Sequence, residues 1–270
     1  MLAALLIVFR EVVEAGLIIG IVLAATEGVA HRRRWIAMGV TGGLVGATVV
    51  ATFAQRLSDA FSGSGQEVFN AAILIAATLM LGWHTVWMAR HGRALGREMK
   101  TLGSSVANGE RTLAAMAVVV AVAILREGSE VALFLFGIAA SGGAAPMSML
   151  IGGLVGVAAG GALSWLIYRG LLVIPTGKLF SVTNALLVLL AAGMAGQAAV
   201  YLVNANLIPT LGSQLWDTSA LLADDSLVGR ALHALVGYSD RPMGVQVLTY
   251  LAVLGALLAL SRGVRRAPSA

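Results

Sequence analysis

A membrane-spanning helix needs about 20 mostly apolar residues, and this chain contains seven such stretches: roughly 2–29, 35–55, 69–89, 112–140, 147–168, 179–203 and 243–261. Within lipid every backbone N–H and C=O must be satisfied by the segment itself, which helices achieve. The expectation is an all-α integral membrane protein with seven transmembrane helices. Composition supports it: 59% of residues are hydrophobic and 11% charged, where soluble domains carry about 25% charged residues. Glycine is abundant, at 33 residues, and small residues let transmembrane helices approach closely. The first stretch lacks the basic start of a secretory signal, and Arg10, Glu11 and Glu14 interrupt its apolar run, so it reads as a retained helix. With no cysteine in the chain, disulfides, thiolate metal sites and thiol-redox chemistry are excluded.

Basic residues orient the spans. Arg32, Arg33 and Arg34 lie in the first connection, and Arg90, Arg93, Arg97, Lys100 and Arg111 in the third. Arg169 and Lys178 lie in the fifth, and Arg262, Arg265 and Arg266 in the tail. Opposite them stand only Arg56, Arg230 and Arg241. The positive-inside rule then predicts an external N-terminus and a cytoplasmic C-terminus. The net charge of +5 is thus a topology signal, and a nucleic-acid role is excluded on that ground.

The chain also repeats itself. Arg10-Glu11-Val12-Val13-Glu14 recurs 116 residues later as Arg126-Glu127-Gly128-Ser129-Glu130. Gly42–Gly46 recurs after 110 residues as Gly152–Gly156, and Asn70, Met80 and Gly82 recur after 114 as Asn184, Met194 and Gly196. Each unit holds three spans, an odd number, so the second copy enters the membrane inverted. Inverted repeats place a transporter's binding site at their interface near the midplane. The expected organisation is a single transmembrane domain, 1–270. It comprises repeat one (about 1–110), repeat two (about 111–204), and an external amphipathic segment with a seventh helix (205–270).

The repeated motif carries the chemistry. At 1.5 Å per residue, residues 10–14 fall near the middle of a ~30 Å hydrocarbon core, and 126–130 fall at the centre of the fourth span. On a helix Glu11 shares a face with Glu14, and Glu127 with Glu130, while Arg10–Glu14 and Arg126–Glu130 are i, i+4 ion-pair partners. A charge at this depth costs at least ~2.5–3.5 kcal/mol, so the six groups must face one another, water or a cation. Simple salt bridges between helices one and four would use one carboxylate per guanidinium. Four against two leave a formal −2, which a multivalent cation bound by hard oxygen ligands would neutralise. The always-protonated arginines would hold the glutamates in place in the cation's absence.

Weaker signals accompany it. His84 on the third span, toward its cytoplasmic end, is a candidate ligand or proton relay, although a packing histidine is the commoner case. Gln197, beside the repeat partner of His84, is an uncharged ligand candidate. Asn70 and Asn184 read as helix N-caps; Trp35, Trp83, Trp87 and Tyr168 read as interfacial anchors, and Glu27 as snorkelling to the cytoplasmic face. In the external segment 204–242, Asp225 or Ser226 would cap a short amphipathic helix lined by Leu227, Leu232 and Leu235 and ended by Gly237. Its aspartates would gather cations or dock a partner, or the helix would lie on the bilayer.

With these residues in place, the whole chain resembles the oxidase-dependent iron permeases, the family of fungal high-affinity iron permeases and bacterial Efe-type iron-uptake permeases. The resemblance rests on the two Arg-Glu-x-x-Glu motifs, the seven-span plan, and Gly237-Tyr238-Ser239-Asp240-Arg241-Pro242 before the last helix. The family pattern is commonly Arg-Glu-Gly-x-Glu; the second copy matches it, whereas Val12 replaces the glycine in the first. The resemblance implies a non-enzymatic multi-pass permease of the plasma (inner) membrane that imports iron as its substrate and holds no permanent cofactor. It implies metal coordination by Glu11, Glu14, Glu127 and Glu130 with Arg10 and Arg126 in support, and iron oxidation by a separate external partner. Oxygen ligands alone leave lead or manganese as alternative cargoes. An intramembrane carboxylate metalloenzyme is the alternative of another class, against which stands the absence of the Glu-x-x-His of di-iron bundles.

Overall fold

The protein is described here by a computed structural model covering residues 1–60, 65–141, 145–170 and 176–266. These form α1 (Leu2–Ala25), α2 (Arg32–Ala60), α3 (Gln66–Ala107), α4 (Leu113–Ala140), α5 (Pro146–Tyr168), α6 (Thr176–Asn204), α7 (Leu227–Val236) and α8 (Gly244–Arg266), with no strand among the described residues. Among the described residues, five segments are long and apolar enough to cross a bilayer: Arg32–Arg56, Gln66–Met88, Pro146–Tyr168, Phe180–Asn204 and Gly244–Arg262. α1 and α4 have the length too, but each carries one charged motif. The molecule turns Leu44, Val49 and Phe53 of α2, Leu150 and Leu154 of α5, and Leu248 and Leu251 of α8 outward. Water would not tolerate so much contiguous apolar exterior; the chain is an all-α, multi-pass membrane protein. Of the basic residues used to orient it, the side chains of Arg90, Arg93, Lys178, Arg265 and Arg266 lie outside the described set, as does that of Leu227.

Two glycine seams organise the bundle, α1 against α5 and α2 against α4. On the first, a Cβ at Gly156 would lie 2.8 Å from the Leu5 carbonyl oxygen, and one at Gly160 would lie 2.8 Å from that of Phe9. On the second, a Cβ at Gly43 would lie 2.6 Å from the Ala121 carbonyl oxygen, and one at Gly39 would lie 2.5 Å from that of Ala117. Backbones this close require the missing side chain. Leu5 and Ala121 are 116 apart, as the charged motifs are, so Gly43 corresponds to Gly156 and Gly39 to Gly152. The equivalent small residues therefore stand 113 apart, not the 110 of the matching Gly-Gly-Leu-Val-Gly strings. Every fourth residue faces the partner helix, and the strings match in an offset that packing does not use. The same register explains Val12. It packs on Gly160, 3.0 Å from where that residue's Cβ would be, while its counterpart Gly128 faces Ala47. The first repeat puts the bulk on the motif helix and the second puts it on the partner.

α3 departs from expectation. The basic stretch after residue 89 is no loop but a continuation of the helix to Ala107. Met99, Leu102 and Val106 on that continuation are buried against Ile18 and Val22 of α1 and Met116 and Val120 of α4. Burial of these three apolar side chains, each worth ~1.5–3 kcal/mol, outweighs the polar residues between them. The asparagines are not N-caps either. α3 is preceded by Gly65 without a side-chain cap, and Asn70 instead accepts from Gln66 Nε2 at 2.9 Å; Asn184 lies inside α6.

α7 is capped as its sequence requires. The Ser226 hydroxyl accepts from Gly229 N at 2.9 Å, and Gly237 closes the helix in the left-handed conformation (φ 72°). The Gly237–Pro242 stretch binds the rest of segment 204–242. Tyr238 donates from its hydroxyl to the Leu222 carbonyl at 2.8 Å and meets Thr218 Oγ1 at 2.7 Å. Asp240 accepts from Asp224 N at 3.2 Å, and Arg241 pairs with Asp217 at 3.1 Å. Ser219 donates amide and hydroxyl hydrogen bonds to Asp217, and these with Arg241 hold that exposed carboxyl below its usual range. Leu235 packs on the main apolar cluster, so this segment is part of the fold and not an appendage.

Candidate metal centre between α1, α3 and α4

Turns of helix place each acidic side chain. On α1 Arg10 Nε reaches Glu14 Oε1 at 2.9 Å, one turn ahead, and its Nη1 lies 3.4 Å from Glu11 Oε1. On α4 Arg126 Nε reaches Glu130 Oε1 at 3.1 Å. Both i, i+4 pairs read from the motif are formed. Carboxylate oxygens of Glu11, Glu127 and Glu130 lie within 4.8 Å of one another, so the two copies converge on one locus. All four glutamates are buried, exposing between 1% and 9% of their surface.

The third component is His84 of α3. Its Nδ1 faces Glu130 Oε2 within ion-pair distance and its Nε2 lies 3.6 Å from Glu14 Oε2. It also groups with Glu11 and Glu14 as a second set of ligand atoms within 4.8 Å. His84 lies near the end of the apolar segment Gln66–Met88, where its sequence position put it, and is enclosed between carboxylates from both motifs. Its signal in the sequence was the residue itself, the only histidine within any of the seven apolar stretches. Gln197 does not join this group. It lies beside Tyr201, whose hydroxyl donates to the Ala140 carbonyl at 2.6 Å, and lines a small cavity with Ser141, His233 and Gln246. The Arg126 guanidinium also stacks over the Trp87 ring, 4.4 Å from its centroid.

The arrangement has the chemistry of a cation site. One oxygen each of Glu11 and Glu127 is buried without a formed hydrogen bond, while those of Glu14 and Glu130 rest on Arg10, Arg126 and His84. Four carboxylates against two guanidiniums carry an excess of negative charge that His84 alone does not cancel. Stranding such oxygens in a low-dielectric interior is costly, and a divalent or trivalent cation would satisfy them together.

Apolar residues flank the locus along the helices that carry it. On one side Ile7, Leu81 and Phe134, each about one turn from a site residue, belong to one cluster. On the other, Ile18 and Ile124 belong to a second. The locus sits between them.

Comparison with known proteins agrees with this architecture. The chain is 27% identical over 266 residues to proteins named ferrous iron permease EfeU from Shigella sonnei and from Escherichia coli O157:H7, an alignment spanning 97% of this chain and 95% of each relative. It is 25% identical over 260 residues to the Yersinia pestis protein of that name, spanning 94% of this chain and 90% of the relative. No solved structure matches significantly. The profile of the iron permease FTR1 family matches residues 1–265: the chain belongs to that family and is a permease, not an enzyme.

Proposed function

We propose that the chain imports iron across the inner membrane through the site formed by Glu11, Glu14, Glu127 and Glu130, with Arg10 and Arg126 as supporting cations. The observation that carries this is the convergence of both motifs' carboxylates on one buried locus. In this reading α1–α6 and α8 are seven spans with the N-terminus outside, and α7 belongs to an external cap. The Ile7–Leu81–Phe134 layer then closes the outer path and the Ile18–Ile124 layer the cytoplasmic one. Cation passage requires these layers to open in turn. The two glycine seams, equivalent by repeat, offer smooth surfaces along which one helix pair moves against the other. The chain has no cysteine, and we assign any oxidation of iron to a separate partner outside the membrane.

Uptake of radioactive iron into proteoliposomes tests the reading, with Fe(II) and Fe(III) offered separately beside Mn(II) and Pb(II). Glu14→Gln and Glu130→Gln keep side-chain shape and remove a charged ligand. Both are expected to reduce uptake to that of empty liposomes while the purified variants stay monodisperse. Wild-type rates in well-folded glutamine variants would overturn it.

A further inference from the structure

We propose that His84 Nε2 is a ligand in its own right, completing a Glu11–Glu14–His84 subsite, and that this nitrogen sets the permease's preference for transition-metal cations over Ca(II) and Mg(II). The proposal rests on the carboxylate site of the previous section and names what that site selects.

The chain supplies its own comparison for a structural histidine. His233 ties Nδ1 to a backbone carbonyl, that of Tyr238, at 2.7 Å. That is the usual way a histidine is held. His84 has no backbone partner: its two nitrogens face Glu130 and Glu14, one from each motif, and the residue is 2% exposed. Metal-ligating histidines characteristically give one nitrogen to the ion and the other to a carboxylate that fixes the ring. Here Glu130, itself anchored by Arg126 at 3.1 Å, is placed to fix Nδ1. Nε2 is left toward Glu14, 3.6 Å from its Oε2, and the ring shares one 4.8 Å neighbourhood of ligand atoms with Glu11 and Glu14.

Selectivity follows from ligand chemistry. A site of carboxylates alone suits Ca(II), Mg(II) and Mn(II), whereas imidazole favours Fe, Co, Ni and Zn. The other ligand group, Glu11–Glu127–Glu130, is all oxygen. The second repeat contributes no imidazole to offset this, because the residue 114 after His84 is Ala198, a buried alanine. Discrimination against hard cations, far more abundant outside cells, then depends on one residue that neither motif contains.

The experiment is equilibrium binding of Fe(II), Co(II), Mn(II), Ca(II) and Mg(II) to the purified full-length protein, under anaerobic conditions for iron. Wild type, His84→Gln and His84→Asn are compared, with Glu14→Gln as the control for the site itself. Expected is a loss of about 10–100-fold in Fe(II) and Co(II) affinity for the histidine variants, with Ca(II) and Mg(II) affinity unchanged or improved. On wild type the Co(II) absorption and 14N couplings in the Mn(II) pulsed-EPR spectrum should report nitrogen coordination, a readout that does not require any variant to fold. Oxygen-only coordination in wild type would overturn the proposal. So would histidine variants that keep the wild-type Fe(II)-to-Ca(II) ratio, or that weaken every cation equally, as a scaffold residue would. If Glu14→Gln abolishes binding while the His84 variants keep their selectivity, this inference fails and the carboxylate site stands. If wild type binds no cation, both fail.

Discussion

The two arginines occupy equivalent places in the sequence and unequal places in the molecule. The side chain of Arg10 is 3% exposed and engages Glu11 and Glu14, whereas that of Arg126 is 35% exposed and leans on Trp87 while reaching Glu130. Removing one partner of a fully buried pair leaves an uncompensated charge and costs about 3–5 kcal/mol. Arg10→Gln is therefore expected to lower thermal stability in detergent well beyond Arg126→Gln, whose exposed pair is partly screened. Equal shifts in Tm would contradict the asymmetry. Arg10→Lys keeps the charge but loses the planar fork that spans two carboxylates. It should fold and transport iron poorly, as measured by proteoliposome uptake.

At the scale of elements, the glycine seams decide how closely the motif helices are held. Gly156→Leu and Gly43→Leu place atoms where the Leu5 and Ala121 backbones already stand. Overpacking of this kind typically costs about 1–3 kcal/mol, and the two variants should lower Tm by similar amounts because their sites are equivalent. Gly161→Leu is the control: a Cβ there meets nothing within 4 Å, and its Tm should match wild type. α7 makes a second element-level case. Ser226→Ala removes its capping acceptor, worth about 1 kcal/mol. Gly237→Ala adds a left-handed penalty of about 1–2 kcal/mol and also meets Gly193 of α6, whose own Cβ would lie 2.8 Å from Gly237 Cα. Proteolysis of the external segment should accelerate more in Gly237→Ala than in Ser226→Ala; the reverse order would mean that α7 does not dock on α6 through this glycine.

For the whole molecule, topology is the feature on which every functional statement leans. A reporter fused after Arg266 is expected in the cytoplasm and one inserted at Asp224 outside. Both on one side would discard the seven-span plan and the inverted repeat with it. The bundle is symmetric only in part. α1–α5 and α4–α2 pack alike, but α3 lies against both α1 and α4 while α6 packs chiefly on α3, α8 and α7. That break sets His84 of α3 beside the glutamates of α1 and α4.

Much of this was legible in the residues because it depends on local spacing. Helical periodicity dictates that Arg10 meets Glu14 and Arg126 meets Glu130. Apolar length dictates spans, the cost of charge in lipid dictates that the motifs face inward, and Ser226 and Gly237 mark the ends of α7. What the tertiary structure alone decided involves partners remote in sequence. His84 lies 70 residues from Glu14 and 46 from Glu130, and no local pattern says which side chain a third helix will deliver to a site. The 113-residue register of the seams, the exchange of bulk between Val12–Gly160 and Gly128–Ala47, and the extension of α3 past residue 89 are likewise packing outcomes. Each is set by which faces meet, a property of helix pairs that a single helix does not carry.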